Sequence, residues 1–254
     1  MRDRLKQSGA IEVSGEADLG RLPPQEIAEL AAAAETLAEV ARVLAKTGDN
    51  VVGELLRGTE TFYEWDHYPA GDVFDSDSNS QYYYHAHPPG QRFAGEHGHF
   101  HTFLRPRGMP RGIKPAPQPA AAPLQDPNDA LSHLVAVAMD ARGLPIRLFT
   151  TNRWVTGEVW YRAEDVCRML PRFSVDHAQP SWPVNRWITA LVTLFRPQIV
   201  ALLRARDAAL HAYDRRVVPP DVFEDRGLEI VSYAEIVIEA QIETLRSRSH
   251  RRRS

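Results

Sequence analysis

Cysteine is nearly absent from this 254-residue chain; Cys167 is the only one. One cysteine excludes an intrachain disulfide and any multi-cysteine zinc or iron–sulfur site. Cys167 falls in Ala163–Leu170, which reads as a short helix, so a buried structural thiol is favoured over catalysis beside a histidine. Long apolar runs are also missing: none approaches the ~20 residues needed to span a bilayer. The charged start, Met1-Arg-Asp-Arg-Leu-Lys, lacks the apolar centre of a signal peptide, and the cytoplasm is the expected location. Nor is there much charge of one sign. A formal charge of -3 argues against a dedicated nucleic-acid binder, which usually shows a basic domain or stripe. The end, Arg246 to Ser254, is the exception; a frayed basic tail is favoured there over contact with RNA or another acidic partner. No Gly-rich phosphate loop, nucleophile elbow or His-Glu-x-x-His helix occurs, which disfavours those enzyme classes.

Histidine is what the chain concentrates. Five of its ten histidines lie within seventeen residues: His85, His87, His97, His99 and His101. The pairs His85/His87 and His99/His101 have the spacing that puts both side chains on one face of a strand. Imidazole is the commonest protein metal ligand and titrates near neutral pH, so the segment points to metal binding, proton transfer or polar recognition. Tyr82–His87 and His99–Leu104 read as strands. If they pair antiparallel with His87 opposite His99 and His85 opposite His101, all four imidazoles share a face. A one-residue slip would separate the pairs.

Around this segment the pattern is mixed. Ile27, Leu30, Ala34, Leu37, Val40 and Leu44 make the stripe of an amphipathic helix over residues 25–46, and a second short helix, Val51–Leu56, should stop at Gly58. His67–Gly71 reads as a turn and Asp72–Gln81 as a loop. Residues 105–128 hold seven of the nineteen prolines and read as a mobile Pro/Ala-rich insertion. Ser132–Met139 and Pro145–Thr151 form a hairpin about Gly143. Beyond them the chain is mainly helical, with a kink or break expected at Pro197, a short strand at Leu228–Val231, and a final helix over Tyr233–Leu245. The expectation is an α+β fold: an antiparallel sheet of about four to five strands with helices on one face, an N-terminal helical hairpin and a helical C-terminal third. Residues 1–22 are expected to be disordered, 23–246 to form one domain, and 247–254 to be a disordered basic tail.

The site expectation follows. His85, His87, His99 and His101 are candidate ligands for a single divalent metal ion: iron, zinc, copper or manganese. Glu96 is a candidate further ligand or general base; His97 is expected to point elsewhere or to serve as an acid/base, and His133 could complete the group. Asn152, Arg153 and Trp154, just past a strand end, are candidates for orienting a substrate. His67, His177, His211 and His250 have no comparable context, and core or surface roles are favoured. A metal-dependent enzyme, oxygenase- or hydrolase-like, acting on a small molecule is the leading reading. A non-catalytic binding or accessory protein, with the histidines as a structural polar layer, is the alternative.

His85-x-His87 followed by a glutamate resembles the metal motif of cupins. Eight residues separate His87 from Glu96, however, where that motif has three or four, and a jelly roll needs more strands than this chain offers. The combination of Tyr-x-His85-x-His87, Glu96-His-Gly-His-Phe-His101 and Thr-Asn152-Arg-Trp154 resembles an uncharacterised bacterial family, a domain of unknown function. That resemblance runs from about Tyr82 to Glu158 and implies no activity.

Overall fold

A computed structural model describes residues 9–117, 124–214 and 221–251. The fold is α+β, built on one mixed sheet of seven strands: β1 (Ile11–Glu12), β2 (Tyr68–Asp75), β3 (Ser80–His85), β4 (Glu96–Leu104), β5 (Ser132–Asp140), β6 (Pro145–Thr151) and β7 (Ile230–Glu235). Their order is β1-β7-β6-β5-β4-β3-β2. Every neighbouring pair is antiparallel except β1 with β7. The expected four to five antiparallel strands therefore understate the sheet, and the additions are its edges. In β2, Pro69, Gly71 and Asp72 read as turn residues, yet an edge strand tolerates a proline whose missing N–H faces no partner. Its pairing with β3 skips between Tyr68 and Val73. Residues 9–22, expected to be loose, contribute β1 and a helical turn at Leu19–Arg21.

Seven helices are formed among the described residues: α1 (Pro24–Ala45), α2 (Val51–Leu55), α3 (Arg153–Thr156), α4 (Ala163–Met169), α5 (Trp182–Leu194), α6 (Arg196–Asp214) and α7 (Ile238–Arg251). α1 starts at Pro24, where a missing N–H costs nothing, and buries Leu30, Leu37, Val40 and Leu44. The Asn50 side chain accepts from the N–H groups of Val52 and Gly53 and so caps α2. The expected break at Pro197 is a 68° bend between α5 and α6. The final helix begins at Ile238, five residues later than expected. Residues 232–235 belong instead to β7, where the Ser232 hydroxyl sits 2.6 Å from that of Thr150 and donates to Leu202 O at 2.8 Å.

Apolar residues of these helices and of one sheet face form the main core, which includes Tyr82, Tyr84, Phe100, Val135, Val137, Met139 and Leu148. The proline-rich stretch is fastened to the domain where it is described: Ala116 N donates to Trp160 O and Arg168 donates to Arg111 O. Residues 118–123 of that insertion lie outside the described residues, as do 1–8 at the start and 252–254 of the basic tail. Residues 247 and 248 of that tail are helical, and Arg248 donates to the carbonyls of Gly20 and Leu22. No single helix among the described residues is long and apolar enough to cross a membrane.

Candidate metal centre

Strand alternation assembles the site, corrected by two bulges in the β4–β5 pairing. β3 and β4 pair with His85 opposite His99 and Tyr83 opposite His101. The register is two residues away from the one expected from sequence, and an even shift leaves the histidines on one face. His87 thereby lies just beyond the end of β3. On β5, the pairing runs Thr102 to Val135 and then Phe103 to His133. Leu134 is the extra residue, and it keeps its side chain in the apolar core while His133 turns onto the histidine face. On β4, the pairing skips His97 between Glu96 and Gly98. Regular alternation would put His97 beside His99. The bulge instead presents Glu96 to His99 and sends His97 toward Tyr84.

Gly98 makes the bulge possible. A Cβ there would lie 2.5 Å from His85 O and 2.6 Å from the Tyr84 hydroxyl, so only glycine lets β3 approach β4 this closely.

His85, His99 and His101 form a group that could hold a metal ion: their ligand atoms lie within 4.8 Å of one another, and all three residues are buried. His85 Nε2 and His99 Nε2 are 2.7 Å apart, so a proton lies between two lone pairs. A cation can replace that proton. On its other side His99 Nδ1 meets Glu96 Oε1 at 2.6 Å, while Glu96 Oε2 accepts the Phe93 N–H at 3.2 Å. Burial opposes the Glu96 charge, but His99 and these hydrogen bonds hold its carboxyl below the usual range. An ionised carboxylate only accepts, so His99 carries its proton on Nδ1 and presents Nε2. His101 is held in the same manner: its Nδ1 is 3.0 Å from His133 Nε2, and His133 Nδ1 is 3.4 Å from the Thr151 hydroxyl. Outer partners of this kind fix the orientation of ligating imidazoles.

His85, His87, His101 and His133 are neutral at pH 7. Burial lowers His85 and His101 well below the ordinary imidazole value, with neighbouring histidines adding to it. His133 is lowered to about 3 by burial and Arg206, and His87 to about 4 by burial and His99. Glu158, fully enclosed, accepts the His133 N–H at 2.7 Å. Burial pushes its carboxyl up to about 8, with Arg206 pulling the other way.

A small crevice opens over this face, about 20 Å³ in volume, or room for roughly one water. His87, Arg92, Phe93, Glu96, His99, His101, Phe149, Thr151 and Glu229 line it. His87 is thus at the crevice but outside the three-histidine group; it stacks on Trp65 with ring centroids 4.2 Å apart. His97 is not a lining residue: its Nδ1 is 2.7 Å from the Tyr84 hydroxyl and its ring lies against Phe62. Asn152, Arg153 and Trp154 also stand off the crevice. Asn152 donates to Val222 O, Arg153 pairs with Asp221 and Glu224, and Trp154 donates to Leu228 O. Their bonds tether residues 221–228, the segment leading to Glu229. Cys167 is free and half-buried on α4, its thiol pKa raised by burial.

Sequence reasoning missed three neighbours of the site. His67, assigned to the core or surface, stacks on Tyr83 at 3.6 Å and meets His85 edge-on at 5.6 Å. Phe93 and Glu158 carried no signal of their own, because a loop phenylalanine and a lone glutamate fit no spacing rule.

No curated protein and no solved structure matches the chain. Residues 31–236 match the family described as domain of unknown function (DUF6969), a span that includes the three clustered histidines, Glu96 and His133. The chain belongs to that family.

Proposed function

We propose that His85, His99 and His101 hold one divalent metal ion and that the chain is a metal-dependent enzyme acting on a small molecule. The observation that carries this reading is the pair of outer hydrogen bonds, Glu96 to His99 and His133 to His101, which leave each ring's other nitrogen for a shared ligand. Three imidazoles suit zinc, iron or copper better than manganese. Glu96 is engaged with His99 and Phe93, so the ligand set is three histidines and not two histidines with a carboxylate. Such a set leaves a coordination position open, where a metal acidifies bound water or polarises a carbonyl. That favours hydrolase-type chemistry over the oxygenase alternative. His87, neutral at the crevice, is placed to accept a proton, and Glu96 acts as a positioning residue.

One observation favours a second reading. The crevice is so small, and His101 so completely enclosed (1% exposed), that the histidines would serve equally as a structural polar layer in a non-catalytic protein. Metal content separates the two. Protein purified without chelator should carry near one equivalent by mass spectrometry, lost in His85→Ala/His99→Ala. Glu96→Gln should keep the site but weaken it about 10–100-fold, measured by competition with a chromogenic chelator. No metal after anaerobic reconstitution with iron, zinc, copper and manganese in turn would leave the structural layer as the function of these residues.

A further inference from the structure

We infer that Phe93 is a gate that sets the size of ligand able to reach the three histidines; the inference rests on the metal reading above and deepens it. Phe93 belongs to the segment 88–95 that crosses the histidine face between β3 and β4. Its ring lies over Ala136 and Ala138 and against Phe149. In the pairing register those two alanines stand directly beside His101 and His99 on β5. Larger side chains there would lift the ring off the sheet; alanine lets it settle into the space next to the ligands. The Arg147 guanidinium closes over its outer side, 3.7 Å from the ring centroid, a contact favourable to an aromatic ring in particular. Phe93 is 5% exposed and lines the crevice. It is the cover that makes the crevice small.

The segment that carries this ring is lightly attached. Its internal backbone bonds are Gln91 N to Pro88 O and Glu96 N to Phe93 O. Arg92 adds a bond to His97 O and a 3.5 Å pair with Glu64. Gly95 at its end has φ +79°, a left-handed conformation open to glycine. Few ladder bonds and a glycine joint belong to the parts of a protein that open most readily. The decisive link is Glu96, whose two oxygens hold His99 on one side and the Phe93 backbone on the other. The cover and the ligand share one carboxylate.

The test uses the full chain loaded with cobalt(II), whose visible spectrum reports added ligands, with azide as the narrow probe and imidazole as the wide one. The unmodified protein is expected to bind azide and to exclude imidazole. Phe93→Ala should bind imidazole at least about tenfold more tightly, within the range that steric fit in a pocket commands, with azide affinity little changed. Equal imidazole binding by both proteins would overturn the gate. Phe93→Leu, which still covers Ala136 and Ala138, should fall between them and serves if the alanine variant does not fold. A chain that takes up no cobalt fails the metal reading instead. The gate is then read in the metal-free protein as the rate of diethyl pyrocarbonate modification at His99 and His101, mapped by mass spectrometry against exposed His211. Phe93→Ala should accelerate modification of the buried pair, and unchanged rates would overturn the gate there too.

Discussion

Two rows of residues cross the same five strands one position apart, and they have opposite characters. Tyr84, Phe100, Val137, Leu148 and Ala234 are paired in turn from β3 to β7 and face the helices; all five are fully buried. The next row is His85, His99, Ala138, Arg147 and Glu235. It runs from buried imidazoles to an exposed carboxylate, with the 88–95 segment, the chain around Glu229 and the His67 ring lying against it. Both rows follow from the alternation of a pleated strand. The first carries the hydrophobic burial that holds the sheet to the helices. The second carries polar groups that burial penalises, and the fold accommodates them by hydrogen-bonding imidazole to imidazole and to carboxylate. The second row thus costs stability where the first supplies it, and it aligns ring nitrogens that could hold an ion.

The largest expected effect breaks the first row. Phe100→Ala should cost about 3–5 kcal/mol, read as a lower midpoint in denaturant unfolding. Phe100 meets Tyr84, Tyr82 and Trp187 at ring distances of 4.9, 5.9 and 5.8 Å, so little can close the cavity. Metal affinity per folded molecule should change little, because Phe100 points away from the site. A loss of metal equal to that of the histidine variants would mean that the two faces are not separable.

A second effect, smaller for each group and each pH unit, comes from protons. His133 titrates at about 3 when folded and near 6.5 when unfolded. Between those values the unfolded chain binds the extra proton, so stability falls as pH drops below about 6.5. His85 and His101 act in the same direction, each by up to about 1.4 kcal/mol per pH unit. Glu158 acts oppositely: raised to about 8 by burial, it binds a proton when folded that the unfolded chain has released. Its contribution is therefore lost as pH rises from about 4.5 to 8. The metal-free protein should be most stable near pH 6.5, measured by urea midpoints across pH. Glu158→Gln should flatten the alkaline side alone. A profile flat from pH 5 to 8 would contradict the assignment of buried neutral histidines.

Much of this was legible beforehand. The stripe of α1, the hairpin of β5 and β6, the break before Pro197 and the shared face of His85, His99 and His101 all follow from periodicity or backbone chemistry. What was not legible depends on partners. Tyr68–Asp75 has the composition of a turn, and only its place at the sheet edge makes it a strand. The bulges at His97 and Leu134 break the alternation that strand reading assumes, yet they decide that Glu96 meets His99 and that His133 meets His101. The Gly98 that permits the first bulge was visible, but the backbone it must approach belongs to another strand. Asn152, Arg153 and Trp154 have the chemistry of ligand-binding residues. Their partners, residues 221–228, are some seventy positions away, beyond any local rule.

The sharpest test of the comparison is a substitution expected to change stability least. His101→Leu/His133→Leu replaces both members of a buried imidazole pair with apolar groups of similar size, so that neither is left with an unmet partner. Removing both halves of a buried polar pair is often nearly neutral. On the apolar row any truncation costs; here the metal-free double variant should unfold within about 1 kcal/mol of the parent at pH 7. It should also shed the acid sensitivity that these two rings impose. Its metal content should be lost, because one ligand and that ligand's outer partner are gone. Stability retained with metal lost would separate the faces by function. A large loss of stability in the double variant, equal to that of His133→Leu alone, would show that the imidazole pair holds the sheet together, and the histidine face would then belong to the scaffold.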